Sequence, residues 1–367
     1  MIKNMDKKFN YLANTIRALS FDAIERANSG HPGLPMGIAD VATVLFSKYL
    51  KFDVTDSKWL DRDRFILSAG HGSMLLYSLS YLVGYKDISI NQIKKFRNLH
   101  SKTAGHPEFG LLKSIETTTG PLGQGVANAV GMALSEKILN SRFGKSLVNH
   151  RTWVMAGDGC LMEGISQESI SIAGHLKLNK LVVIFDNNGI SIDGETSLTT
   201  SDDHIKRFQA SNWNTISIDG HDYKEIDLAF KEASQSNKPT LISCKTIIGY
   251  GSPNKSGKSS SHGSPLGADE VKKTREKLKW NYPPFVIPKK ILNKWRSKEK
   301  RETKKRIAWE KSLKSNNKKS EFLKCFNLKK YKRNESSKNF LKDVINESSK
   351  EAIRKSSQNA IDILSTN

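Results

Sequence analysis

Asp158 and Asn188 carry the chemistry most open to reading in this chain. Asp158 closes the run Val154-Met-Ala-Gly-Asp158-Gly-Cys, and Asn188 closes Val182-Val-Ile-Phe-Asp-Asn-Asn188-Gly-Ile190. A carboxylate, an amide oxygen and a neighbouring backbone carbonyl such as that of Ile190 form a hard-oxygen set. Magnesium takes near-octahedral oxygen from a few protein ligands, phosphate oxygens and water, so the set suits magnesium holding a diphosphate. The same residue types also suit two strand-end turns rich in Gly, Asp and Asn.

The flanking elements decide whether these ligands can meet. Thr152 to Met155 and Leu181 to Phe185 are short apolar runs of the buried parallel-strand type, and Glu163 to Leu178 between them has roughly helical apolar spacing. A strand–helix–strand unit of this kind sets Asp158 and Asn188 side by side beyond the carboxyl ends of the strands, where open α/β sheets collect ligands. Further helices are expected over Asn10 to Ala27, Val41 to Leu50 and Met74 to Val83. The fold class that follows is α/β, a doubly wound, mostly parallel sheet.

Two other groups of residues bear on the same chemistry. Gly120, Gly123 and Gly125 precede a helix of small residues, where backbone amides approach phosphate closely and the helix amino end adds positive potential; tight packing of a helix on a sheet calls for the same residues. Of nine histidines, His31, His71, His106 and His262 lie in loops flanked by Gly or Pro. Imidazole donates to phosphate and sugar oxygens and moves protons near neutral pH, although a single loop histidine is more often structural. His100, His150, His175, His204 and His221 take the structural reading.

The surrounding motifs resemble those of thiamine-diphosphate enzymes, transketolases in particular. They are Ser29-Gly-His31-Pro-Gly, Gly70-His71-Gly-Ser-Met, His100-Ser-Lys-Thr-Ala-Gly-His106-Pro-Glu, Thr119-Gly-Pro-Leu-Gly-Gln-Gly125, Gly157-Asp158-Gly-Cys-Leu-Met-Glu163, Asn188-Gly-Ile-Ser-Ile-Asp-Gly194, and Gly249-Tyr-Gly-Ser-Pro-Asn-Lys255 with Ser261-His262-Gly-Ser-Pro-Leu-Gly267. The resemblance runs from about Phe9 to Leu266 and more weakly to Asn359. It implies transfer of a two-carbon ketol unit between sugar phosphates, with thiamine diphosphate and Mg2+ as cofactors. Asp158, Asn188 and the Ile190 carbonyl would hold the metal. Gly159 would lie against the diphosphate, His71 and the Gly120-Pro121-Leu122 loop against the cofactor, and Asn188 and His262 beside its diphosphate. His31 and His262 would serve the reacting oxygens, His106 the donor sugar's hydroxyls, and Arg354 a substrate phosphate. Glu163 is read either as a carboxylate near a subunit interface or as a first-turn helix acid.

Charge and composition bound the rest. The net charge of +22 is uneven: residues 289 to 367 hold 24 Lys and Arg against 9 Asp and Glu, about +15 of the excess. Such a segment can contact nucleic acid, but apolar residues interleave with the charges, so solvated helix faces are the expectation and nucleic acid is the minor alternative. Three widely spaced cysteines indicate neither a disulfide framework nor a zinc site and suit a reducing cytoplasm. No stretch approaches the roughly 18 apolar residues of a membrane helix, and the first residues lack a signal-peptide pattern.

The prolines of Tyr282-Pro-Pro-Phe-Val-Ile-Pro288 mark a composition shift. The expected organisation is a cofactor-binding domain over 1–285, a basic helical connector over 286–350 resembling the family's interdomain connector, and the start of a pyrimidine-binding domain over 351–367. The family's glutamate facing the aminopyrimidine lies on that second domain. The chain is therefore expected to be a transketolase half that needs a pyrimidine-domain partner and assembles as an oligomer through its active-site interface. The alternatives are an inactive truncated fragment and a basic nucleic-acid-binding protein on the same scaffold.

Overall fold

The computed structural model describes residues 2–326, 335–347 and 350–365. It divides into two compact units, 1–312 and 313–367. In the first unit five strands form one sheet: β1 (Arg64–Leu67), β2 (Thr152–Gly157), β3 (Leu181–Asn187), β4 (Asn214–Asp219) and β5 (Thr240–Lys245), in the order β1-β2-β3-β5-β4. Every pairing among them is parallel. β2 and β3 are buried almost throughout, which is why both read as apolar runs rather than alternating ones.

The helices follow from the strand order. α1 (Ile2–Ala27) and α2 (Met74–Val83) pack together; α3 (Gln124–Phe143) lies on β1, β2 and β3; α4 (Gly164–His175) links β2 to β3; α5 (Tyr223–Gln235) links β4 to β5. The β2-to-β3 crossover steps one way across the sheet and the β4-to-β5 crossover steps back. Right-handed connections therefore put α4 and α5 on opposite faces, the doubly wound arrangement expected. The helix expected from Val41 to Leu50 is present with an altered pitch, α over Ala39–Val44 and π over Leu45–Tyr49.

The first unit extends past the proline run. α6 (Lys289–Arg296) and α7 (Glu299–Ser315) follow it, and Ile291, Leu292 and buried Trp295 pack on the main core. The Trp295 indole donates to Thr15 Oγ1 at 2.9 Å, Arg306 pairs with Asp53 at 2.8 Å, and the Trp309 indole donates to the Leu147 carbonyl at 2.9 Å. The start of the basic segment is thus fastened to the α/β core. Prolines end one element there, but the apolar stripe after them continues the same core.

In the second unit α8 (Glu335–Glu347) and α9 (Ile353–Ser365) contact one another. Within the expected connector, residues 327–334 and 348–349 lie outside the described residues. No described helix is long and apolar enough to cross a membrane.

Candidate active site

β2 runs directly into a short helix, Asp158–Met162, so Asp158 stands at the strand's carboxyl end, 9% exposed. The register pairs Gly157 with Asp186, which brings Asn188 to the same edge of the sheet. Asn188 is fixed at both ends of its amide. Its Nδ2 donates to Asp186 Oδ2 at 3.0 Å, and its Oδ1 accepts from the Ile190 amide at 2.9 Å. Beyond it the backbone doubles back, with Ser191 N–H on the Gly194 carbonyl at 2.7 Å and Thr196 N–H on the Gly189 carbonyl at 3.0 Å.

These loops enclose a cavity of about 300 Å³. It gathers nine of the sequence-predicted residues: His31, His71, Gly120, Leu122, Asp158, Gly159, Asn188, Ile190 and His262. Pro121 is exposed between the two lining residues Gly120 and Leu122. His106 is outside the lining, but its ring lies behind Gly120, where an added Cβ would sit 3.3 Å from it. At Gly159 a Cβ would come within 2.9 Å of Leu122 Cδ1. The glycine therefore lets the Gly120–Leu122 loop close against the end of β2. Glu163 is exposed and precedes α4 without a side-chain capping bond. Arg354 lies on α9 in the second unit with an exposed side chain.

Three imidazoles cluster over the cavity. Ring centroids are 5.1 Å apart for His31 and His71, 5.7 Å for His31 and His262, and 5.2 Å for His71 and His262, the last pair stacked. Burial, helped by the neighbouring rings, pushes His71 down to about 3; burial, His262 and Arg97 push His31 down to about 4. Burial also lowers His262. At neutral pH each ring is uncharged and offers one donor and one acceptor. The carboxylates move the other way: burial and the adjacent Asp186 raise Asp158 to about 7, and burial raises Asp186 to about 6.

The lining contains two acids and three histidines but no Lys or Arg. Two buried carboxylates with no Lys or Arg in the lining beside them fit a site completed by a cation. Among the described residues no group of three or more His, Cys, Asp or Glu side chains could hold a metal ion. Asp158, Asn188 and the Ile190 carbonyl fit magnesium only as a partial set, with the remaining oxygens coming from a diphosphate and water.

Sequence reasoning missed Asp186, whose second oxygen accepts from Thr246 Oγ1 and which orients Asn188. Its signal was the strand period of two, which puts 186 and 188 on one side of β3. It also missed the apolar wall of Leu34 and Ile248 and the contact of Arg97 with His31. The five histidines read as structural stay outside the lining. His221 binds Asp40 at 2.8 Å and accepts from the Ile247 amide at 3.2 Å, and His150 binds Asp61 at 3.2 Å.

A cavity with these ligands at the carboxyl edge of a parallel sheet defines an α/β cofactor-binding domain. The family described as "Transketolase, thiamine diphosphate binding domain" matches residues 9–334, and the chain belongs to it. The chain is 57% identical over 296 residues to transketolase 2 of Escherichia coli, covering 79% of this chain and 44% of that protein. It is 54% identical over 302 residues to the transketolase of Cereibacter sphaeroides, covering 82% and 46%. The crystal structure of transketolase from Campylobacter jejuni superposes with a TM-score of 0.85 at 42% identity, over 88% of this chain and 51% of that one. The chain spans about half the length of the curated relatives it matches.

Proposed function

We propose that this chain is the diphosphate- and magnesium-binding half of a transketolase-type enzyme, which transfers a two-carbon ketol unit between sugar phosphates once a pyrimidine-binding half completes the site. The observation that carries this reading is the meeting of Asp158, Asn188, Ile190, His31, His71 and His262 on one cavity whose lining holds no Lys or Arg. Residues 1–285 are read as the cofactor domain, 286–350 as a connector and 351–367 as the start of the pyrimidine-binding domain.

Bound thiamine diphosphate supplies the electron sink that cleavage beside a carbonyl requires. The chain's own residues bind and orient. Asp158, Asn188 and the Ile190 carbonyl hold the metal, with Asp186 fixing the Asn188 amide so that its oxygen faces away from the carboxylate. Gly159 lies against the diphosphate, His71 contacts the cofactor, and Gly120, Pro121 and Leu122 support the cofactor's apolar side. His262 reaches both diphosphate and reacting oxygens. His31 meets the reacting oxygens and His106 the hydroxyls of the donor sugar, and neutral rings suit them to give or take a hydrogen bond at an alkoxide as charge develops. Arg354 is assigned to a substrate phosphate, as guanidinium geometry favours. Three free cysteines suit the cytoplasm.

The test is ketol transfer from xylulose 5-phosphate to ribose 5-phosphate, with thiamine diphosphate and magnesium, for this chain alone and with a pyrimidine-domain partner added. Turnover only with the partner is the expected result. Silence in both arms, with a partner preparation active beside an intact cofactor half, would overturn the reading.

A further inference from the structure

Arg97 stands behind the cavity, half-buried, with its backbone in the left-handed region at φ 60° and its amide donating to the Thr103 carbonyl at 2.9 Å. A non-glycine residue adopts that conformation where the surrounding loop imposes it. The loop aims the guanidinium at the His31 turn. Nη1 donates to Ser29 Oγ at 2.7 Å, and Nη2 lies 3.4 Å from His31 Nδ1. On the far side of the ring, a Cβ at Gly263 would lie 3.2 Å from Cδ2 and 3.3 Å from Nε2, so the other edge of His31 rests over the His262–Gly263 backbone.

A guanidinium has five donors and no acceptor, and it stays protonated. Nδ1 of His31 must therefore be the accepting nitrogen in this contact, and in a neutral ring the proton then resides on Nε2. We infer that Arg97 is a positioning residue for His31: it holds the ring in the Nε2–H tautomer, so that His31 meets a substrate oxygen as a hydrogen-bond donor. That last clause rests on the proposed function; the tautomer does not.

Charge supports the same assignment. The groups facing His31 are Arg97, His71, His106 and His262, none of them acidic, and the fixed positive charge of Arg97 opposes a second proton on the ring.

Long-range nitrogen–proton correlation NMR on the labelled full chain reads the tautomer directly, without turnover. His31 is expected with a protonated Nε2 and a bare Nδ1 across neutral pH. R97M should mix the tautomers and move the His31 titration upward, with the His71 and His262 ring signals in place as a check of the fold. R97K keeps the charge but loses the fork, so the titration should stay low while the tautomer preference weakens. If R97M gives a poorly dispersed spectrum, S29A, which frees Nη1 alone, should shift His31 in the same direction. A wild-type ring protonated on Nδ1, or folded R97M and S29A chains with His31 unchanged, would overturn the inference. A silent ketol-transfer assay would count against the proposed function and leave these signals as they are.

Discussion

The two ends of the same sheet use the same residue types to opposite purpose. At the amino ends of β1 and β2 the acids are closed off by the protein. Asp61 pairs with Lys51 at 2.7 Å and with His150 at 3.2 Å, while Asp63 accepts from the Arg151 amide at 2.8 Å, the Lys51 amide at 3.0 Å and the Trp153 indole at 3.1 Å. Although burial alone would raise it, these donors bring the Asp61 carboxyl below its ordinary value. At the carboxyl ends Asp158 is about as buried, yet its nearest charged neighbour is another acid, and it is raised to about 7. One end spends its polar groups on itself, which holds the strands in register; the other keeps them for something that is not protein.

The sharpest way to break that contrast is to make the same substitution at both ends. Asp158→Ala, in chain reconstituted with a pyrimidine-domain partner, is expected to weaken magnesium binding by at least ~100-fold and to remove most ketol transfer, since even residues that only support metal ligands cost 10–100-fold. Its melting temperature should be unchanged or higher, because an uncompensated buried carboxylate has gone. Asp61→Ala should leave metal affinity alone and cost about 3–5 kcal/mol in denaturant unfolding, the usual penalty for breaking a buried ion pair from one side. Equal stability losses at both positions would erase the distinction between the two ends, and retained activity in the Asp158 variant would sink the metal assignment.

A finer test concerns Asp186, which touches the proposed ligand Asn188. Asp186→Asn keeps the volume but presents an amide that can donate where the carboxylate only accepted. The Asn188 amide is then free to turn over, so magnesium affinity should fall by about 10–100-fold, as for other groups that orient a metal ligand. Calorimetric titration of magnesium with the diphosphate cofactor present would measure it. An unchanged affinity would mean that the Ile190 amide alone fixes Asn188.

Much of this contrast was legible in the sequence, and the reason differs from end to end. The carboxyl end announced itself because its ligands need particular neighbours: Gly159 must admit Leu122, and the histidine loops must bring three rings within 6 Å. Such constraints leave Gly and Pro beside Asp and His. The strands were legible because β2 and β3 are buried on both faces. The polar lock at the amino end was not, since Asp61, Asp63 and His150 sit among ordinary loop residues, and Asp61 and Asp63 meet His150, Arg151 and Trp153 at separations of 88 to 90 positions. Nor was the fastening of α6 and α7, where Trp295 and Arg306 act through partners some 250 residues away or more. The prolines before α6 signalled a break in secondary structure, which is a local property. Where a core ends depends on which distant apolar face the next helix meets.

The smallest expected effect separates two ways of closing a charge inside the protein. Lys298, between α6 and α7, is 7% exposed, and its ammonium donates to the carbonyls of Phe46 at 3.3 Å and Leu50, capping the π turn. Unlike Lys51 it meets carbonyl oxygens rather than a carboxylate at its tip. Burial lowers it from 10.5 to about 7. Between those values the unfolded chain binds the proton and the folded one has released it, so stability rises with pH. This contribution is complete above the ordinary lysine value and is lost as pH falls toward about 7. Lys298→Met removes the titration while keeping the stem's packing. The melting-temperature difference between wild type and this variant should therefore move in favour of wild type from pH 7 to pH 10, by about a few degrees. A constant difference would mean that two carbonyls hold the buried ammonium charged as well as a carboxylate does, and the amino-end lock would then need no acid at that point.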